Sequence, residues 1–258
     1  MKKVFSVIVA LAMMLMGCTA FAATDITDGA IKVEGVGALQ NPNPAAGYRA
    51  AKMDAMRNAL EEAQGVYIDS ETTVRDSVMA SDVIKTRING MIKGAKVVQR
   101  YKDADGYHVV IEFPVHGAQS LAAAVMPATA TTPAPLPAAT TFVPEIPAST
   151  GPYTGLIVDC TGLGLETAMA PGVFTADNQL VYGKANFSYD QVVNKGYVGY
   201  ARSINSGVSR AGSNPLIVRA LSVQGFVNPV VSSTDAARIL SENQITGFLG
   251  QGNVVFVK

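Results

Sequence analysis

Between residues 30 and 115 the spacing of apolar positions changes several times, and each change marks an element. "AIKVEGVGAL" (30–39) alternates, with Ile31, Val33 and Gly35 on one face, which predicts a strand. After Pro42 and Pro44 the spacing lengthens to that of a helix from about Pro44 to Gln64. There Met53, Met56, Ala59, Leu60 and Ala63 share one arc, and Asp54, Arg57, Asn58 and Glu61 share the other. Its alanines favour helix and let the backbone approach a sheet closely, and Gly65 supplies the stop. "VYIDSETTVRD" (66–76) predicts a second strand. Ser81 caps a second helix to about Lys93, with Val83, Ile84, Ile88 and Ile92 facing inward. "AKVVQRYKDADGYHVVIEFPV" (95–115) predicts a hairpin turning at Asp105-Gly106. The expected plan is β-α-β-α-β-β.

The pattern then lapses. Residues 127–150, "PATATTPAPLPAATTFVPEIPAST", hold six of the thirteen prolines and a single charge, a composition that favours extended conformers over a core. Such a linker reaches about 75 Å if fully polyproline-like, enough for two domains to act at separate points.

Beyond it, "TGLIVDCTGLGL" (154–165) predicts an apolar strand ending at a glycine pair, and "VFTADNQLVYG" (173–183) a hairpin around Asp177-Asn178. Ser188 with Gln191 forms a capping-box pattern for a short helix carrying Val192 and Val193, stopped near Gly196. "NPLIVRALSVQG" (214–225) predicts one strand. "SSTDAARILSEN" (232–243) predicts a capped helix with Ala237, Ile239 and Leu240 packed inward, and "NVVFVK" (253–258) a closing strand. The fold class is α+β: two small domains, 28–117 and 151–258, joined by a Pro/Ala/Thr-rich linker at 118–150. Each domain is an antiparallel or mixed sheet, largely antiparallel, with helices packed on one face.

Residues 1–22 read as an export signal: Lys2 and Lys3, an apolar run from Val4 to Met16 too short to span a bilayer, then small residues. Two processing routes fit. Cleavage after Ala20-Phe21-Ala22 frees a mature chain starting at Ala23, whereas Leu15-Met16-Gly17-Cys18 reads as a lipobox that makes Cys18 a lipidated anchor. The expected compartment is the periplasm or cell envelope, with membrane attachment only if Cys18 is lipidated. Either route leaves Cys160 as the sole candidate free thiol and rules out an internal disulfide. Removing residues 1–22 takes away two lysines and no acid, so 18 basic residues face 20 acidic ones. That mixed surface carries no footprint for nucleic acid.

Reactive groups are sparse. Gly35-x-Gly37 lacks the third glycine of a dinucleotide loop, and Gly162-x-Gly164 leads into no long helix, so both predict turns. Cys160 ends an apolar strand, but the two histidines, His108 and His116, lie in or beside the last strand of the other domain, so a small buried hydrophobe is expected. Glu61 with Glu62 and Asp103 with Asp105 predict solvated surface pairs. Two histidines are too few and too badly spaced for a zinc site. No catalytic residue, cofactor or metal is expected.

"IKVEGVGA", "YRAAKMDAMRNALEEAQGVYID" and "GYHVVIEFPV" together resemble the Lpp-twenty type of bacterial envelope lipoprotein domain, which is similar to the N-terminal domain of flagellar assembly protein T. "GLIVDCTGLGLETAMAP" and "DAARILSENQITGFLGQGNVVFV" resemble a companion domain of uncharacterised secreted proteins. The resemblance implies an envelope location, parts of flagellar or outer-membrane assemblies in some members, and no catalytic residues. The expectation is a non-enzymatic interaction or assembly module whose partners are envelope proteins or further copies of itself. The alternatives are a periplasmic small-ligand or glycan-binding protein and, after that, a hydrolase.

Overall fold

Gly47, Ala51, Ala55, Ala59 and Ala63 recur every fourth residue and form the buried stripe of helix α1 (Pro44–Gln64). Asn43 caps it by accepting from the Ala45 amide, and Pro44 opens it. The stripe lies on strand β1 (Ala30–Gly37) at Gly35 and Gly37. A Cβ at Gly35 would stand 2.0 Å from the Ala55 nitrogen, and one at Gly37 would stand 2.3 Å from the Gly47 oxygen. Two backbones touch here, so only glycine on one side and small residues on the other fit. This rotates the helix from its expected orientation: Met53 is 66% exposed, and Met56 and Leu60 are only half-buried. Amphipathic patterning points to the largest side chains, whereas backbone contact selects the smallest.

The structure is a computed structural model describing residues 24–39, 43–128, 132–143 and 150–258. The expected export signal at 1–22, with Cys18, lies outside the described residues. Strands β2 (Lys96–Lys102) and β3 (Tyr107–Pro114) form the expected hairpin, and the antiparallel sheet runs β1-β3-β2. The second strand expected at 66–76 is instead a pair of isolated bridges from Tyr67, to Thr73 and to Ala168, followed by helix α2 (Val74–Ala80). Asp69 turns the chain by accepting from the Glu71 and Thr72 amides, and Thr73 with Asp76 forms a capping box. Helix α3 (Asp82–Lys93) is capped by Ser81 and buries Ile88 and Ile92, while Val83 is 60% exposed.

The passage at 118–150 begins as ordered structure. Ser120 caps helix α4 (Leu121–Val125), whose Leu121, Ala122, Ala124 and Val125 are buried.

In the second unit, β4 (Gly155–Asp159), β7 (Gly199–Ala201), β8 (Pro215–Arg219) and β11 (Val254–Val257) form a wholly parallel sheet in the order β7-β11-β4-β8. The α+β class holds, with a mixed second sheet as expected, and only the largely antiparallel direction expected of β4, β7, β8 and β11 is corrected. Parallel neighbours need crossovers, and the one overlooked is helix α6 (Ile204–Ala211), started by a Ser203–Ser206 capping box. Its Gly207 sits over Ile157 and Val255. The opposite face, with Leu156, Val158, Val254 and Phe256, belongs to the cluster that includes Ile239 and Leu240 of helix α7 (Ser233–Thr246). Burial on both faces explains the uninterrupted apolar runs of β4 and β11. A smaller mixed sheet contains β5 (Val173–Thr175), β6 (Leu180–Tyr182), β9 (Ser222–Gln224) and β10 (Asn228–Val231). The single strand expected at 214–225 is therefore β8 plus β9, divided where Ala220 N–H donates to Asp159 and Leu221 N–H to Val230. The Ser188 capping box starts helix α5 (Tyr189–Asn194) as expected.

The two units touch. Met169 N–H donates to Tyr67 O at 3.0 Å, Ala170 N–H to Ile68 O at 2.7 Å, and Gly117 N–H to Val193 O at 2.9 Å. One apolar cluster includes Ile88 and Phe113 of the first unit and Val193 and Phe256 of the second. The proline-rich passage thus joins units already in contact, which corrects the expectation of action at separate points.

Two outcomes follow for stability. Gly35→Ala should destabilise the fold by about 3 kcal/mol in denaturant titrations, because neither backbone can yield; a change within 0.5 kcal/mol would contradict the contact. Calorimetry should show one cooperative transition for both units, and two separable transitions would contradict the shared core.

Candidate interaction surface

Helix α1 packs mainly on β1 and β3, and β2 lies at the margin of that layer. Every residue of β2 is exposed or half-buried, including Val98 at 40% exposure. The strand is bulged between Val97 and Gln99, and it carries Lys96, Arg100 and Lys102. Among the described residues its outer edge pairs with nothing.

The other edge of the same sheet is occupied at Glu34 and Val36 by side chains of α1. Asp54 of α1 accepts from the Val36 amide at 3.0 Å, and Asn58 donates to the Glu34 carbonyl at 3.0 Å. Arg57 pairs with Asp54 and holds it in place. These side chains sit on the predicted polar arc of the helix. The rotation that buries the alanine stripe carries them to the strand edge, where they take the place of a neighbouring strand.

The outer face of the sheet carries a clasp that ties all three strands. His108 on β3 places Nδ1 2.7 Å from Glu34 of β1 and Nε2 2.9 Å from Asp103 in the hairpin turn. Tyr101 on β2 stacks on the imidazole with ring centres 4.4 Å apart, and its hydroxyl donates to Glu34. Asp103 also accepts from the Asp105 and Gly106 amides, at 2.8 and 3.2 Å. Desolvation opposes protonation of His108, but its hydrogen bonds to Glu34 and Asp103 outweigh that cost and raise its pKa. Glu34 is held below the usual carboxylate range by Tyr101 first and His108 second. Asp103 is lowered chiefly by the Asp105 amide. Asp103, expected as plain solvated surface, is thus a fixed part of the sheet. Alternation along β3 marks His108 as outward, but its two acid partners come from register and turn geometry.

Cys160 is fully buried, its Sγ 3.8 Å from Val158 O. Burial, and next the Asp159 charge, push its thiol up to about 12, so no thiolate is available near neutral pH. Asp159 is engaged by Arg219 at 2.6 Å and by Thr161. His116 Nδ1 bonds to Val192 O at 3.2 Å. Gly162 and Gly164 both take positive φ, 79° and 70°, in the turn after β4. Glu61 and Glu62 are exposed on α1. Among the described residues no group of three or more His, Cys, Asp or Glu side chains could hold a metal ion, and no helix is long and apolar enough to cross a membrane.

A small α+β unit with one open strand edge, fused to a parallel-sheet unit, defines a two-domain scaffold that offers surfaces. The comparisons divide the chain in the same way. Residues 19–113 match the family model of the LPP20 lipoprotein. Residues 155–258 match that of the second domain of Treponema pallidum Tp0624. The first match begins directly after Cys18 and so does not bear on lipid attachment. No curated protein matches the chain.

The clasp carries a pH signature. His108 has a raised folded pKa, so its contribution is complete below the unfolded value of 6.5 and fades as pH rises through the folded value. Glu34 and Asp103 have lowered pKa values, so theirs is complete above 4.5 and 3.8 and fades as pH falls. The stability gap between wild type and His108→Gln should be widest between about pH 5 and 6.5 and shrink toward pH 9; a gap constant with pH would contradict the clasp. Alkylation read by mass spectrometry should leave Cys160 unmodified until the chain unfolds, and rapid native labelling would contradict its burial.

Proposed function

We propose that this protein is an exported, non-enzymatic component of the cell envelope that binds another envelope protein through strand β2. The observation that carries the reading is the asymmetry of the three-stranded sheet: Asp54 and Asn58 of α1 occupy the β1 edge at Val36 and Glu34, and among the described residues the β2 edge is unpaired. An open edge takes an added strand through backbone hydrogen bonds. Lys96, Arg100 and Lys102 favour an extended segment bearing acidic residues. A second copy of β2 would set these like charges against each other, which disfavours self-association by this edge. The LPP20 lipoprotein match and the export signal support the envelope location, and participation in flagellar or outer-membrane assembly is the more specific form of the proposal.

A photo-crosslinking residue at position 98, in the native host, should give one discrete adduct. The same probe at Met53, exposed on α1, should give none, and Arg100→Glu should abolish the adduct at 98. Equal labelling from both positions, or no adduct from 98, would refute docking through β2. A deletion strain with normal motility and normal envelope permeability would remove the assembly version.

A further inference from the structure

The seam between the units encloses a second feature, independent of β2. Where Thr27, Asp28 and Gly29 meet β7 and α6, they border a cavity of about 310 Å³, at the lower end of the range for small-molecule sites. Lys195 and Arg210 line it beside His116 and Asp28. Arg210 Nε donates to Gly252 O at 2.8 Å and Nη2 to Gly196 O at 2.7 Å. Lys195 Nζ donates to Gln251 O at 2.9 Å. Both cations are therefore anchored on adjoining carbonyls of one loop. Neither forms an ion pair with a carboxylate among the described residues.

Arg210 Nη1 has no hydrogen-bond partner among the described residues, yet it is not sealed from solvent. The guanidinium thus keeps a donor free at the cavity wall. Asp28, the acid on that wall, is already held by Arg202 at 3.0 Å. Burial lowers the His116 pKa and favours its neutral form, so it adds no third positive charge to the wall. Gly199 makes room for the arginine: a Cβ there would stand 2.7 Å from Arg210 Cδ. The wall therefore presents an exposed ammonium, Lys195, beside a half-buried guanidinium, Arg210, whose charge is met only by carbonyl dipoles, although a half-buried charge is ordinarily matched by an opposite one.

We propose that the seam cavity binds a small molecule through an oxyanion, a phosphate or a carboxylate, gripped by Arg210 and Lys195. A guanidinium with a free amino group and a neighbouring ammonium supply charge-assisted donors suited to such oxygens. The ligand would contact both units, so binding would tie the first residues of one to α6 of the other.

The test uses the full chain, melted in chloride, phosphate and citrate at matched ionic strength. The expected result is a saturable rise of several degrees above the chloride value in phosphate, in citrate, or in both. A rise confined to phosphate assigns a phosphate ligand, and one confined to citrate assigns a carboxylate. Arg210→Gln should abolish the rise, but it also removes the bonds to Gly196 and Gly252 and lowers the starting melt. Lys195→Gln is therefore the deciding variant: it loses one carbonyl contact and should weaken apparent affinity about tenfold. Identical melts in all three salts, or an affinity unchanged in Lys195→Gln, would overturn the proposal.

Discussion

Contact between two backbones organises the first unit. Gly35 and Gly37 let α1 descend on β1 until the alanine stripe meets the strand with no side chain between them. That approach fixes the helix over β1 and β3, swings Asp54 and Asn58 onto the free edge of β1, and leaves β2 at the margin of the layer, with Val97 packed on the core. The asymmetry between a closed and an open edge is a consequence of packing and needs no separate device. The clasp of His108, Glu34, Asp103 and Tyr101 then fastens the exposed strand to its neighbours from the outer face. Strand β2 is held in shape without being covered, which is the condition for taking on an added strand without refolding.

The second unit reaches its stability differently. The central strands of its parallel sheet, β4 and β11, are buried on both faces, and the unit is joined to the first through backbone hydrogen bonds at Tyr67, Ile68 and Gly117. The prolines at 127–150 connect parts that already share a core. The functional consequence is that the two units present their surfaces in one relative arrangement, with the cationic cavity at their seam.

Much of the fold was legible where local chemistry and periodicity agree. The helix at 44–64, the hairpin turning at Asp105-Gly106, the Ser188 capping box and the closing strand all lie where the patterns put them. Three failures have physical causes. Residues 66–76 alternate like a strand, but Asp69 and the Thr73–Asp76 box bind backbone amides locally and start a helix. Helix α6 has few large apolar residues, and only the Ser203–Ser206 cap marks it. Strand direction in the second unit depends on which distant segments pair, which no local window contains. The surface features were least legible. Asp54 and Asn58 appear as ordinary polar-arc residues until the helix rotation is known. Lys195 and Arg210 come together only through a loop of the C-terminal strand connection.

In the first sheet one edge is occupied by α1 at Glu34 and Val36 and the other is open, and amide hydrogen exchange resolved by residue measures this difference directly. The outward amides of β2 should exchange at nearly unprotected rates, while the Val36 amide, bonded to Asp54, should be slowed by orders of magnitude and lose that protection in Asp54→Ala. Protection along the outer edge of β2 in the isolated protein, or a fast-exchanging Val36, would contradict the account.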